Sequence, residues 1–242
     1  MKNTLLDALS KLRVNSSRIY LDEFTKAAAM SLPNGAQVLD AGAGEGPYKK
    51  HFKNQTYEAA DFCQVDKEYG EITYVCDLSD IPVPDNKYDL VLLTQVLEHL
   101  PEPHSVLKEL NRVLRPGGEL WLSTPLYFEE HEKPYDFFRY TQYGLKHLLE
   151  AAGYQVKRLD WLEGYFGTLG YQLASIARFL PWKPNHFGGG LLGIMLSLSA
   201  IYLKITCGIF SIVFSHLDIY QKYTLTGHCK NYSVVAVKIG TS

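Results

Sequence analysis

Two acidic residues close short apolar stretches: Asp40 after Gln37-Val38-Leu39, and Asp61 after Tyr57-Glu58-Ala59-Ala60. Each stretch reads as a buried parallel strand, and a carboxylate at the carboxyl end of such a strand sits where open α/β sheets take their ligands. Between them runs Ala41-Gly42-Ala43-Gly44-Glu45-Gly46-Pro47, with glycine at alternate positions. Without a Cβ at Gly42 and Gly44 the backbone can approach a ligand closely. Asp61 stands 19 positions after Gly42, the separation at which nucleoside-binding folds set an acid on the ribose hydroxyls. Asp66 competes for that role if the second strand runs longer. These residues predict recognition of a nucleoside-bearing ligand. A dinucleotide fingerprint would need its third glycine where Pro47 stands, which disfavours a nicotinamide cofactor.

A second cluster lies between Leu126 and Tyr140, where all periodicity breaks and aromatic and ionisable side chains crowd together. His131 is the candidate general base, since imidazole exchanges protons near neutral pH. Tyr135, Asp136, Arg139 and Tyr140 surround it as candidate substrate contacts. The plainer alternative for His131 is a solvent-exposed loop histidine. His99 carries the same ambiguity, with a supporting role favoured. No metal-ligand constellation is visible. Cys63, Cys76, Cys207 and Cys229 lack C-x-x-C spacing and nearby histidine patterns, which predicts reduced cytoplasmic thiols rather than zinc or disulfides.

Positioning these groups requires a sheet. The 242 residues suit one α/β domain over 1–242, and a net charge of −2 offers no footprint for nucleic acid. Leu5, Leu6, Leu9 and Leu12, then Ile19, Tyr20, Phe24, Ala27 and Ala28, recur at helical spacing and predict helices within 1–34. Strands are predicted at Gln37–Asp40, Tyr57–Asp61, Ile72–Cys76, Tyr88–Thr94, Glu119–Pro125, Tyr154–Asp160 and Ser233–Ile239. Val106, Leu107, Leu110, Val113 and Leu114 share one helical face that Arg115-Pro116-Gly117-Gly118 ends. Thr141 can cap a further helix that stops at Gly153.

After the fourth strand comes Gln95-Val96-Leu97-Glu98-His99-Leu100, and the run continues to "LKELNRVLRPGGELWLSTP". With the glycine loop, this run resembles the class I S-adenosylmethionine-dependent methyltransferases, the loop matching their motif I. The resemblance covers about residues 35 to 160 and the last strand. It implies an α/β, doubly wound, Rossmann-like sheet of seven strands with the last antiparallel. It implies S-adenosylmethionine (SAM) as cofactor, bound by Asp40, Gly42, Gly44, Asp61, Asp77, Leu78 and Gln95. Asp77 would accept from the adenine amino group, with the Leu78 amide facing the ring. Tyr48 and "YDFFRYT" further resemble bacterial methyltransferases of surface-glycan and lipopolysaccharide assembly, implying a small-molecule, glycan or lipid-linked acceptor. A quinone-like acceptor, or a non-catalytic SAM-binding scaffold, are the other readings.

In the minimal fold of that family strands six and seven are joined by a short turn, whereas residues 164–230 form an apolar helical insertion. Tyr165–Leu180 is amphipathic, Pro181–His186 is a break, and Gly188–Leu217 is almost wholly apolar, with Lys204 its one charge before His216. A packed helical subdomain, an interfacial hairpin with peripheral membrane contact through 188–217, and a membrane span all remain open. Lys204 near the middle would cost a span about 3 kcal/mol. The N-terminus does not resemble a secretory signal, so the expected location is cytoplasmic, at the inner face of the membrane if the insertion meets lipid.

Overall fold

The computed structural model describes residues 14–240, so the spacing of Leu5, Leu6, Leu9 and Leu12 lies outside the described residues. Two compact units are built from the chain. The first takes Tyr20–Leu162 and the chain from Lys230 onward; the second takes Glu163–Cys229 with the described residues up to Ile19.

The first unit holds a seven-stranded sheet: β1 (Gln37–Ala41), β2 (Thr56–Asp61), β3 (Tyr74–Val75), β4 (Tyr88–Thr94), β5 (Leu114–Pro125), β6 (Tyr154–Trp161) and β7 (Asn231–Lys238). Their spatial order is β3-β2-β1-β4-β5-β7-β6. The first five pair in parallel, and β7 inserts antiparallel between β5 and β6. The order reverses between β1 and β4, the switch point at which doubly wound sheets open a crevice. Val38, Leu39, Leu90, Leu92, Leu120 and Val234 are fully buried along the central strands, as the near-continuous apolar runs require.

Helix α1 (Ser16–Met30) adds Leu21, Phe24 and Ala28 to the core, with the Phe24 ring 4.8 Å from Trp121. Helix α2 (Pro103–Val113) buries Val106, Leu107, Leu110 and Val113, the expected stripe. Helix α3 (Gln142–Ala151) starts where Thr141 Oγ1 accepts from the Gly144 N–H at 3.2 Å.

Several strand ends move by one or two residues, and two differences from the sequence reading are larger. Leu114 ends no helix; it opens β5, and Arg115–Gly118 bulge within the strand, since Tyr88 pairs with Leu114 but Leu90 with Glu119. Gly117, at φ +76°, supplies the left-handed turn that the bulge needs. Strand β3 shrinks to two residues because Thr73 pairs partly through its side chain. Its hydroxyl takes the Ala59 N–H at 3.1 Å while its own N–H bonds the Ala59 carbonyl at 2.8 Å.

In the second unit, α4 (Tyr165–Phe179) and α5 (Gly190–Tyr220) run antiparallel. A Cβ on Gly167 would lie 2.3 Å from Asp218 Oδ2, and one on Gly170 would lie 2.8 Å from Ser215 Oγ, so the glycines set the close approach. Farther along, Lys204 Nζ donates to the carbonyls of Arg178 (3.2 Å) and Leu180 (2.9 Å), satisfying the end of α4. The apolar segment is one continuous helix, and the hairpin is made by α4 and α5 together.

Candidate functional site

A cavity of about 540 Å³ opens at the carboxyl ends of β1, β2 and β4, within the size range of small-molecule sites. Gly42, Asp61, Asp77, Leu78, Gln95 and Tyr135 all line it, so residues up to 93 positions apart in sequence converge there. His99, Lys67 and Glu132 complete the wall.

Gly42 sits at φ +76°, and a Cβ there would come within 2.5 Å of Val96 Cγ2, itself a wall residue. Gly42→Ala is expected to cost about 1–2 kcal/mol of stability through left-handed backbone and overpacking. Chemical denaturation checks this; an unchanged midpoint would mean that the loop yields.

Gly44 stands off the wall and acts through Asp61: its N–H donates to Asp61 Oδ2 at 3.0 Å, while the Cys63 N–H donates to Oδ1 at 3.0 Å. Asp61 is buried, and each oxygen keeps a lone pair for a further donor. Gly70 holds the loop from the other side, donating to the Gly44 carbonyl at 2.9 Å. Asp77 is exposed, with Oδ1 held by the Ser79 N–H and hydroxyl at 2.8 Å each, and Leu78 is buried beside it. Burial first, then the neighbouring carboxylates, push the Cys76 thiol up to about 11, leaving it an inert wall group.

Gln95 (φ +56°) and Glu132 (φ +48°) are wall residues in left-handed backbone, and Cys63 (φ +54°) adjoins the wall residue Phe62. Non-glycine residues in this region cost of order 1 kcal/mol each and gather at functional sites. The Gln95 N–H bonds the Ser123 carbonyl at 2.8 Å and its Nε2 bonds Ser123 Oγ at 3.1 Å, which fixes the turn out of β4.

Asp40 does not line the cavity. Its side chain is wholly buried; Oδ2 accepts from the Tyr57 hydroxyl and Oδ1 has no hydrogen-bond partner. Burial raises its pKa to about 6, offset in part by the Tyr57 bond and reinforced by the charge of Asp61.

The segment after β5 is pinned, not loose. The N–H groups of Phe137 and Phe138 donate to the Glu98 carbonyl, and the Tyr140 hydroxyl to the Leu97 carbonyl. Arg139 forks onto Asp136 at 2.6 and 2.8 Å and reaches the Phe128, Glu129 and Phe138 carbonyls. The guanidinium holds the Asp136 carboxyl well below its usual range. Asp136, Arg139 and Tyr140 are thus loop fasteners off the cavity wall, whereas Tyr135 is on it.

His131 is also off the wall. Its ring meets that of His99 edge-on at 4.6 Å, and it is His99 that reaches the cavity. His99 Nδ1 lies 2.5 Å from the Tyr135 carbonyl, which makes that nitrogen the protonated donor, and burial lowers its pKa. Sequence reasoning also missed Lys67 and Glu132, whose charges pair at 3.2 Å and join the loop after β2 to the loop after β5. Neither loop is periodic; the ion pair and the edge-on Phe62–Tyr135 rings, 5.5 Å apart, show that they meet.

A family model for a methyltransferase domain matches residues 14–159. A probable S-adenosylmethionine-dependent methyltransferase of Mycolicibacterium smegmatis is 31% identical over 137 residues, 51% of this chain and 53% of that protein. The ubiquinone/menaquinone biosynthesis C-methyltransferase UbiE of Paraburkholderia xenovorans is 31% identical over 172 residues, 63% of this chain and 64% of that protein. The chain thus spans between half and two thirds of the length of these curated relatives. The fold is shared with Burkholderia thailandensis 1,6-didemethyltoxoflavin-N1-methyltransferase, whose crystals hold 1,6-didemethyltoxoflavin and S-adenosylhomocysteine. That likeness has a TM-score of 0.52 at 17% identity, over 89% of this chain and 77% of that one.

Proposed function

The chain belongs to the methyltransferase-domain family of S-adenosylmethionine-dependent enzymes, and from that premise we propose that it methylates an oxygen of a glycan or lipid-linked small molecule at a membrane surface. The cavity suits the cofactor on its own chemistry: the Gly42 position leaves no room for a side chain, and Asp61 keeps lone pairs for two hydroxyls. Asp61 would hold the ribose, Asp77 and Leu78 the adenine, and Gly42 with Gln95 the edge next to the methionyl part. Once bound, SAM supplies a methyl carbon made electrophilic by its sulfonium. The chain's part is to align an acceptor oxygen with that carbon and exclude water. Tyr135 and Phe137 supply aromatic walls for this, and His99 supplies a neutral imidazole.

One observation carries the membrane reading. Helix α5 is inside out: it buries Gly193, Ser197, Ala200, Cys207, Ser211 and Asp218, at steps of four, three, seven, four and seven along one face, and exposes its large apolar residues. Leu191, Leu198 and Tyr202 are 76%, 63% and 73% exposed. Small residues inside and leucines outside are the pattern of helices packed in lipid. Lys204, the charge that argues against lipid contact, falls on the small-residue seam and is spent on α4 carbonyls. The excursion leaves and rejoins the sheet at bonded neighbours, Leu162 N–H to Asn231 O at 2.9 Å. A hairpin that enters and exits on one side fits that path; a single span does not.

The test is vesicle flotation. The wild-type chain is expected to float with anionic phospholipid vesicles, and Leu191→Glu/Leu198→Glu/Ile205→Glu to stay in the aqueous fraction with SAM binding intact. Equal flotation of both would end the membrane reading. The names of the UbiE relatives favour a quinone-like acceptor as the second reading, which the same apolar helix would serve. Methyl transfer to a water-soluble quinone head group, with none to a lipid-linked glycan, would select it.

A further inference from the structure

Glu98, His99 and His131 each bring one potential ligand atom to within 4.8 Å of one another. The first two leave the end of β4. The third arrives on the segment after β5, which is bonded down onto the Glu98 carbonyl by Phe137 and Phe138. Both rings are committed at Nδ1. That of His99 faces the Tyr135 carbonyl at 2.5 Å, and that of His131 faces the Glu129 carbonyl at 3.2 Å with Asp136 Oδ2 at 3.4 Å. With Nδ1 the protonated donor in each, Nε2 carries the free lone pair.

The third member is the independent signal. Glu98 is fully buried; Oε2 accepts from the Thr124 hydroxyl at 3.2 Å, but Oε1 has no hydrogen-bond partner among the described residues. That oxygen stands 3.9 Å from His99 Nε2. A buried, orphaned glutamate oxygen and an imidazole lone pair, too far apart to share a proton, face each other across a gap that a cation would fill.

We propose that Glu98, His99 and His131 bind a divalent cation of the zinc class. Two imidazole nitrogens and one carboxylate are the donor set of three-ligand zinc sites that keep a fourth position open, whereas magnesium prefers oxygen and retained water. The carbonyls at Nδ1 of each histidine are the outer partners that orient such ligands. Zinc bonds of about 2.0–2.1 Å put donor atoms about 3.4 Å apart, so the trio closes by at most about 1.4 Å on binding.

His99 also lines the cofactor cavity, which sets the open position beside the acceptor. Resting on the methyl-transfer reading, the role follows: a cation there would lower the pKa of an acceptor hydroxyl so that its proton passes to solvent, and the oxygen would bond the methyl carbon as the carbon–sulfur bond breaks and S-adenosylhomocysteine leaves with the electron pair.

The experiment uses the whole chain stripped with chelator, then titrated with Zn²⁺ by calorimetry and Co²⁺ by absorption, with SAM titrated separately. One equivalent per chain is expected, with d–d bands and no thiolate charge-transfer band, excluding Cys63 and Cys76 as ligands. His131→Ala, at a half-exposed position, is expected to lower affinity at least 100-fold and leave SAM binding unchanged; Glu98→Gln should match it. No metal uptake by a chain that binds SAM, or uptake indifferent to His131→Ala, overturns the metal site and leaves methyl transfer standing. Metal uptake without SAM binding upholds the site and overturns the role given to its open position.

Discussion

Asp61→Ala is expected to weaken SAM binding at least 100-fold while leaving a folded chain. The carboxylate has four acceptor directions, and among the described residues two are used, by the N–H groups of Gly44 and Cys63. Two ribose hydroxyls donating to a buried anion contribute about 1.5–3 kcal/mol each, and 100-fold corresponds to about 2.7 kcal/mol. The substitution also removes the acceptor that shapes the glycine loop, so Gly44 loses the bond that sets it. Asp61→Asn offers no rescue, because its amide would turn an N–H toward the Gly44 or Cys63 donor. Calorimetric titration of both variants beside the wild type, with NAD as the control ligand, measures the effect. Micromolar SAM binding that Asp61→Ala leaves unchanged would move the ribose elsewhere, and tight NAD binding would overturn the cofactor assignment.

Asp61 was legible because three local signals coincide on it: a strand pattern, a glycine loop and a fixed separation. The sheet was legible for the same kind of reason. Buried parallel strands such as Tyr88–Thr94 are apolar without interruption, and the α2 face repeats Val106, Leu107 and Leu110 at helical spacing. What escaped depends on contacts between distant, aperiodic segments. His131 looked like the base because it sits among aromatic and charged residues, but the wall position belongs to His99, and the two rings meet only through the fold. Asp136, Arg139 and Tyr140 looked like substrate contacts because polar residues in loops so often are; each is spent on backbone or on another of the three. The metal-ligand trio carries no spacing signal at all, since 32 positions separate His99 from His131. In α5 the composition announced an apolar helix, but which residues it buries depends on α4, where Gly167 packs against Asp218 and Gly170 against Ser211 and Ser215.

Asp40 is the residue for which stability and binding should pull in opposite directions. Its folded pKa of about 6 lies above the ordinary aspartate value of 3.8, so between these values the unfolded chain releases a proton that the native chain retains. The native state therefore loses stability as pH rises from about 4 to 6, and above 6 the loss is constant at no more than about 3 kcal/mol. Asp40→Asn removes that cost and still offers Tyr57 an acceptor, while its amide N–H lacks a partner. A gain of about 1–2 kcal/mol at pH 7, vanishing by pH 4, is expected from denaturation curves. The ligand sees the reverse. Asp40 and Asp61 repel each other at the ends of adjacent strands, and the sulfonium and ammonium of SAM bring the positive charge that relieves them. Binding should thus favour the ionised carboxylate, lower its pKa and release a proton near pH 6. Affinity should rise roughly 10-fold from pH 5 to pH 7, and Asp40→Asn should flatten that slope. Calorimetry in buffers of different ionisation enthalpy counts the proton directly. A variant more stable at pH 7 whose SAM affinity keeps the wild-type pH slope would show that the carboxylate is a structural burden with no part in holding the cofactor.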